Sequence, residues 1–181
     1  YGMYRKKEYR IKTIIKENEV IKVANHEAAQ KHILNIKENI EILNDLGIKT
    51  LDRFENNAII SRFVKDELTL DKVIVNLLKE EKKDEAISKI KQFKSEILDK
   101  FEKANNEESN VFDKFGIEYD KENTKKLTFV KNGLYDLIFQ NCFVINNEFF
   151  VYDQEWKENN VPVEYISYRA LKNLPELKEY I

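Results

Sequence analysis

Apolar and polar residues alternate along Tyr9–Ile15 and again along Glu19–Ala24, with Lys16-Glu17-Asn18 between them. A period of two marks a half-buried strand, so the two stretches predict a pair of strands joined by a turn. The period then lengthens. From Ala28 to Leu46 the apolar residues Ala29, Ile33, Ile36, Ile40 and Leu43 recur at helical spacing, Asn25 offers an N-cap, and Gly47 suits the position just past the C-terminus. Ile48–Leu51 and Ala58–Val64 read as two further strands joined through Asn56-Asn57.

Downstream the pattern is mostly helical. Thr69-Leu70-Asp71 opens a helix to about Leu78, and Glu85–Ala104 carries Ile87, Ile90, Phe93, Ile97, Leu98 and Phe101 on one face. Asn105–Asn110 is a polar break, Val111–Lys126 fits no single pattern, and Pro162 and Pro175 punctuate a C-terminal helical stretch. Between them lie two short aromatic and β-branched runs, Cys142–Ile145 and Glu148–Tyr152, separated by Asn146-Asn147. Asparagine tolerates the positive φ of a two-residue turn, so a tight hairpin is predicted with Ile145 facing Glu148, Phe143 facing Phe150 and Asn141 facing Tyr152. Asn141 and Asp153 then emerge side by side at the open end, and Asp136 lies only five residues before Asn141. One amide and two carboxylates converging there suit a Mg²⁺ ion and a hydroxyl nucleophile, the needs of phosphoryl transfer.

The spacing D-x-x-x-x-N, then a hairpin, then an acid resembles the catalytic loop and metal segment of protein-kinase-like folds. Asp153-Gln154-Glu155-Trp156 is closer to the aminoglycoside and choline phosphotransferase branch than to the eukaryotic protein kinases. Two strands, a helix and two more strands match the order of the small lobe of that fold. The resemblance implies an α+β architecture with an N-lobe of antiparallel strands plus one helix over 1–64. A mainly helical C-lobe carrying the catalytic β-hairpin would fill 65–181. It implies Asp136 as catalytic base or orienter of the acceptor hydroxyl, Asn141 and Asp153 as Mg²⁺ ligands, and Lys22 as the lysine that reaches the ATP phosphates. Arg62, Phe63 and Val64 would form the hinge whose backbone reads adenine. Lys22 would pair with a helix glutamate; Glu38 and Glu41 lie 16 and 19 residues downstream, and the shorter spacing favours Glu38. Bland alternatives stand beside each role: a turn-capping Asp136 after Gly133, a loop Asn141, a strand-end Asp153, an exposed strand Lys22, and surface ion pairs for either glutamate. Glu155 serves equally as an addition to the site or as a surface acid.

The tail from Asp153 through Val161-Pro162-Val163-Glu164-Tyr165-Ile166 to Tyr168-Arg169-Ala170 is also similar to kinase-like domains fused to bacterial methyltransferases or glycosyltransferases of polysaccharide assembly. That likeness implies a saccharide or small-alcohol acceptor and such domains as neighbours. Two departures weaken catalysis. Gly133, Leu134 and Tyr135 stand where the family has His before its aspartate, and no G-x-G-x-x-G or G-x-x-x-x-G-K-[ST] is present among the four glycines. An inactive kinase-like domain that binds nucleotide or a partner is therefore a second expectation. A helical interaction module with the three polar residues scattered is a third.

Composition narrows the picture further. Of 181 residues 35 % are charged, yet the net charge is −2 and the lysines are interleaved with glutamates, so no basic field for nucleic acid is expected. No apolar run approaches 18 residues and no signal peptide opens the chain, so no membrane span is expected. The chain starts Tyr1-Gly2, as a piece of a longer protein would. Cys142, the single cysteine, excludes an internal disulfide, suits a reducing cytoplasm and reads as a packing residue inside a strand. His26 and His32 stand six apart, which with one cysteine argues against zinc.

Overall fold

A computed structural model describes residues 5–104, 114, 116, 122 and 125–174. The Asn105–Asn110 break, most of Val111–Lys126 and Pro175 lie outside the described residues. The fold is mixed α+β, with a small antiparallel sheet and four helices among these residues.

Strands β1 (Ile11–Ile15), β2 (Glu19–Ala24), β3 (Asp52–Glu55) and β4 (Ala58–Arg62) form an antiparallel sheet in the order β1-β2-β4-β3. Asn56 and Asn57 turn between β3 and β4 with φ of 49° and 59°, as a two-residue turn of the primed type requires. Helix α1 (Gln30–Asp45) crosses the sheet, and Ile33, Ile36 and Ile40 bury against Ile59. Its N-terminal cap is not Asn25. His26 Nδ1 accepts the Ala28 N–H at 3.1 Å and opens a 3-10 turn over Glu27–Ala29 that leads into the helix. At the other end Gly47, at φ 63°, donates to Asn44 O while Ile48 N–H donates to Leu43 O, a Schellman closure that only a residue at ease in the left-handed region makes cheaply.

The Ile48–Leu51 stretch does not join the sheet. Leu51 N–H donates to Val151 O at 2.9 Å, and Val151 N–H donates to Lys49 O at 3.0 Å. The segment thus ties the sheet to the hairpin downstream, and β3 begins only at Asp52.

Thr69 precedes α2 (Leu70–Lys79), which packs on α3 (Lys83–Glu96). Helix α3 stops eight residues short of the predicted Ala104. At Ile97 the backbone turns to φ −116°, ψ −64°, and Leu98–Lys100 form a 3-10 turn. Ile97, Leu98 and Phe101 are still core, delivered by that turn rather than by a helix face, whereas Ile87 is exposed. Strands β5 (Phe129–Val130) and β6 (Gly133–Leu134) pair with β10 (Val161–Pro162) and β9 (Lys157–Glu158) respectively, and α4 spans Val163–Lys172.

The hairpin has the predicted register. In β7 (Cys142–Ile145) and β8 (Glu148–Val151), Ile145 faces Glu148 and Phe143 faces Phe150, with Asn146 and Asn147 at φ 51° and 64°. Phe93, Phe139 and Phe149 interlock edge-to-face at its base, with centroids 5.2 and 5.9 Å apart. Cys142 is buried in the same core and burial pushes its thiol up, so it is a packing residue as expected. No helix among the described residues is long and apolar enough to cross a membrane.

Candidate functional site

Between the sheet and the hairpin lies a cleft of about 720 Å³. Ile11 and Val20 of the sheet, Leu51 of the segment before β3 and Phe143 of the hairpin give it apolar walls. Arg62, Phe63 and Val64 line it where the chain leaves β4. Two of the backbone donors there are already used: Arg62 N–H donates to Leu51 O at 3.2 Å and Phe63 N–H to Asn18 O at 2.9 Å. Among the described residues Val64 N–H donates no hydrogen bond, so it is the free donor of this segment.

The charged part of the lining is Arg5, Arg10, Lys12, Lys22 and Arg62 with Asp153 and Glu155. The Lys22 ammonium contacts Asp153 Oδ1 directly. Asp153 sits at φ 58°, in the left-handed region, immediately past the hairpin. Its N–H donates to Asp52 Oδ2 at 2.8 Å, and the Ser61 hydroxyl donates to Asp52 Oδ1. Asp52 is 6 % exposed, and burial raises its pKa, against the lowering pull of Ser61, the Asp153 N–H and Lys22.

The three polar residues picked from sequence are gathered, not scattered. Tyr152 N–H donates to Asn141 O at 3.0 Å, continuing the hairpin register by one pair. The Asn141 amide Nδ2 donates to Asp136 O at 3.1 Å, and its Oδ1 remains an acceptor. Gln154, fully buried, donates from Nε2 to Asp136 O and to Tyr152 O and so laces the Asp136 loop to the hairpin end. The Asp136 carboxylate accepts from Arg169 of α4 at 3.3 Å. Burial raises its pKa to about 6; Arg169 opposes the rise, while Glu155 and Asp153 add to it. Asp136 and Asn141 do not line the cleft itself, which Asp153 does.

Glu38 is not the partner of Lys22. The buried face of α1 holds His32, Ile33, Ile36, Asn39, Ile40 and Leu43, and Glu38 falls on the opposite side. Its carboxylate pairs with Lys157 at 3.3 Å, and Glu41 pairs with Lys37 one turn away. What α1 presents towards the site is neutral at Asn39, whose Nδ2 donates to Gln154 O at 2.9 Å. His32 lies 3.4 Å from Glu155, inside a cluster with Tyr9 and Trp156 whose ring centroids are 5.0–5.2 Å apart. Glu155 also meets Arg5 at 2.6 Å. Burial alone would raise the Glu155 pKa, but His32, Arg5 and Lys22 together hold it below the usual value.

Sequence reasoning missed Asp52, Ser61, His32, Asn39, Gln154 and Arg169. For His32 and Asn39 a signal existed: they stand seven apart and interrupt the apolar stripe of α1, where a polar residue must find a buried partner.

Asn141 Oδ1 and the second oxygen of Asp153, which takes no donor among the described residues, are hard oxygen atoms. Oxygen atoms of this kind suit Mg²⁺, an ion that keeps several waters and asks for few protein ligands. Among the described residues no group of three or more His, Cys, Asp or Glu side chains forms a metal cage. No family model, no curated protein and no solved structure matches this chain.

Proposed function

We propose that the chain is an ATP- and Mg²⁺-dependent phosphotransferase of the protein-kinase-like type, acting on a hydroxyl of a sugar, a polysaccharide end or a small alcohol. The observation that carries this is the Lys22–Asp153 pair lining the same cleft as the free Val64 N–H. An adenine edge at Val64, a ring between Val20 and Phe143, and phosphates at Lys22 would use the cleft end to end. Mg²⁺, when bound by Asn141 and Asp153, supplies charge neutralisation on the phosphates.

The residues of the chain do the rest. Lys22 meets phosphate oxygens with an ammonium on a strand-held stem. Asp136, held by Arg169, orients the acceptor hydroxyl and accepts its proton as the hydroxyl oxygen bonds to the γ-phosphorus and the bond to the β-phosphate bridging oxygen breaks. Gln154 fixes the spacing between the Asp136 loop and Asp153. Catalysis on this scheme is positioning and charge stabilisation. Methyltransferase or glycosyltransferase domains are the proposed neighbours of such an enzyme.

The test is transfer of labelled γ-phosphate from ATP to a panel of saccharides and small alcohols. Asp136→Asn is expected to keep ATP binding and to lose about 10²–10⁴-fold in rate, the usual worth of a positioned acid–base group. Full activity in Asp136→Asn would remove the base assignment. A second reading, nucleotide binding without turnover, is favoured by one observation: Asp136 is engaged by Arg169 and does not line the cleft. Binding of ATP with no transfer to any acceptor would select it.

A further inference from the structure

Asp153 adopts the left-handed backbone region, which residues with a side chain populate sparsely, Asp less so than most. Two features of the structure converge on what holds it there. The Asp153 N–H donates to Asp52 Oδ2 at 2.8 Å, and Asp52 is itself held by the Ser61 hydroxyl across the β3–β4 pair. Asp52 is 6 % exposed, so its carboxylate is buried between the sheet and the end of the hairpin and not solvated.

We propose that Asp52, clamped by Ser61, is the positioning residue of the site: by accepting the Asp153 N–H it locks the left-handed turn that aims the Asp153 carboxylate at Lys22. This rests on the nucleotide reading of the cleft. In this chain the support expected from a helix glutamate thus comes from β3, the strand beyond β4 in the same sheet. Glu38 and Glu41 point to other partners, whereas Asp52 lies close enough to Lys22 to feel its charge. Both carboxyl oxygens of Asp52 are occupied, one by a backbone N–H and one by a hydroxyl. An amide reproduces that pattern, because Asn Oδ1 accepts the Asp153 N–H while its NH₂ turns to Ser61 Oγ, which then acts as acceptor.

The experiment compares wild type, Asp52→Ala and Asp52→Asn by two readouts: amide hydrogen exchange at Asp153 followed by NMR, and titration with ATP and Mg²⁺. In Asp52→Ala the Asp153 amide should exchange at least roughly tenfold faster, while Val151, whose N–H is bonded to Lys49 O, keeps its protection. ATP should bind roughly tenfold more weakly, equivalent to about 1.4 kcal/mol. Asp52→Asn should restore both to within about threefold of wild type, a rescue that loss of fold stability alone would not track. Unchanged Asp153 protection in Asp52→Ala overturns the proposal. So does Asp52→Asn losing ATP as fully as Asp52→Ala, which would make the Asp52 charge, not its position, the active feature. If Asp52→Ala does not fold, Asp52→Asn decides alone, by keeping or losing both properties. Failure of wild type to bind ATP would remove the nucleotide reading, and the exchange arm would still judge Asp52.

Discussion

Asp136 carries a charge that its surroundings resist. Burial, with Glu155 and Asp153 acting in the same direction, lifts its pKa from 3.8 to about 6, and Arg169 recovers only part of the difference. A carboxylate with a pKa near 6 is a better proton acceptor than a free aspartate and is still mostly ionised at neutral pH. Phosphotransfer should therefore rise with pH along a single acidic limb centred near 6, and a limb centred near 4 would show that Asp136 is not the base. The same shift has a stability consequence. The folded state keeps the Asp136 proton up to about pH 6, while the unfolded chain releases it near 3.8. Stability from this group is thus full below about 3.8 and is lost as pH rises through 6. The difference in unfolding temperature between wild type and Asp136→Asn should shift in favour of the variant across that window, and a constant difference would contradict the burial argument.

At the scale of elements, the hairpin was legible because its causes are local. The short aromatic and β-branched runs Cys142–Ile145 and Glu148–Tyr152 marked the strands, and two asparagines in the left-handed region set the register. The over-long α3 and the missing strand at Ile48–Leu51 have the opposite origin. Ile97, Leu98 and Phe101 continue a helical period, yet the core takes them through a 3-10 turn, and Leu51 finds its partner in Val151, a hundred residues on. Asp52 was illegible for the same reason. In the strand Asp52-Arg53-Phe54-Glu55 it looks like any charged strand residue, and only the arrival of Asp153 makes it a buried acceptor. Close approach of elements also explains Gly133, whose β6 passes so near β10 that an added Cβ would lie 2.5 Å from Val161 Cβ. Gly133→Ala should cost about 1–3 kcal/mol, seen as a fall of several degrees in unfolding temperature, because strand backbones on both sides must move. A variant as stable as wild type would mean that the β6–β10 approach is looser than described.

Over the whole molecule, two apolar clusters flank the cleft. The smaller joins α1 to the sheet through Ile33, Ile36, Ile40 and Ile59, and the larger runs from α2 and α3 through the hairpin to α4. Leu43 and Ile48 belong to the larger one, so the end of α1 is anchored on the hairpin side while its middle is anchored on the sheet. Sheet and hairpin are therefore held at fixed spacing by Leu43, Ile48 and the Lys49–Val151–Leu51 backbone bonds, and the cleft between them is built in. The gathering of Asp136, Asn141 and Asp153 followed from the hairpin register and could be read from sequence. The cleft, being a product of long-range packing, could not. Its occupancy is the central claim. Calorimetric titration of ATP into the protein, with and without Mg²⁺, on wild type and Asp153→Ala, tests it most directly. Magnesium-dependent binding in wild type that is lost in Asp153→Ala is the expected result; no binding to wild type, or equal binding to both proteins, would contradict it.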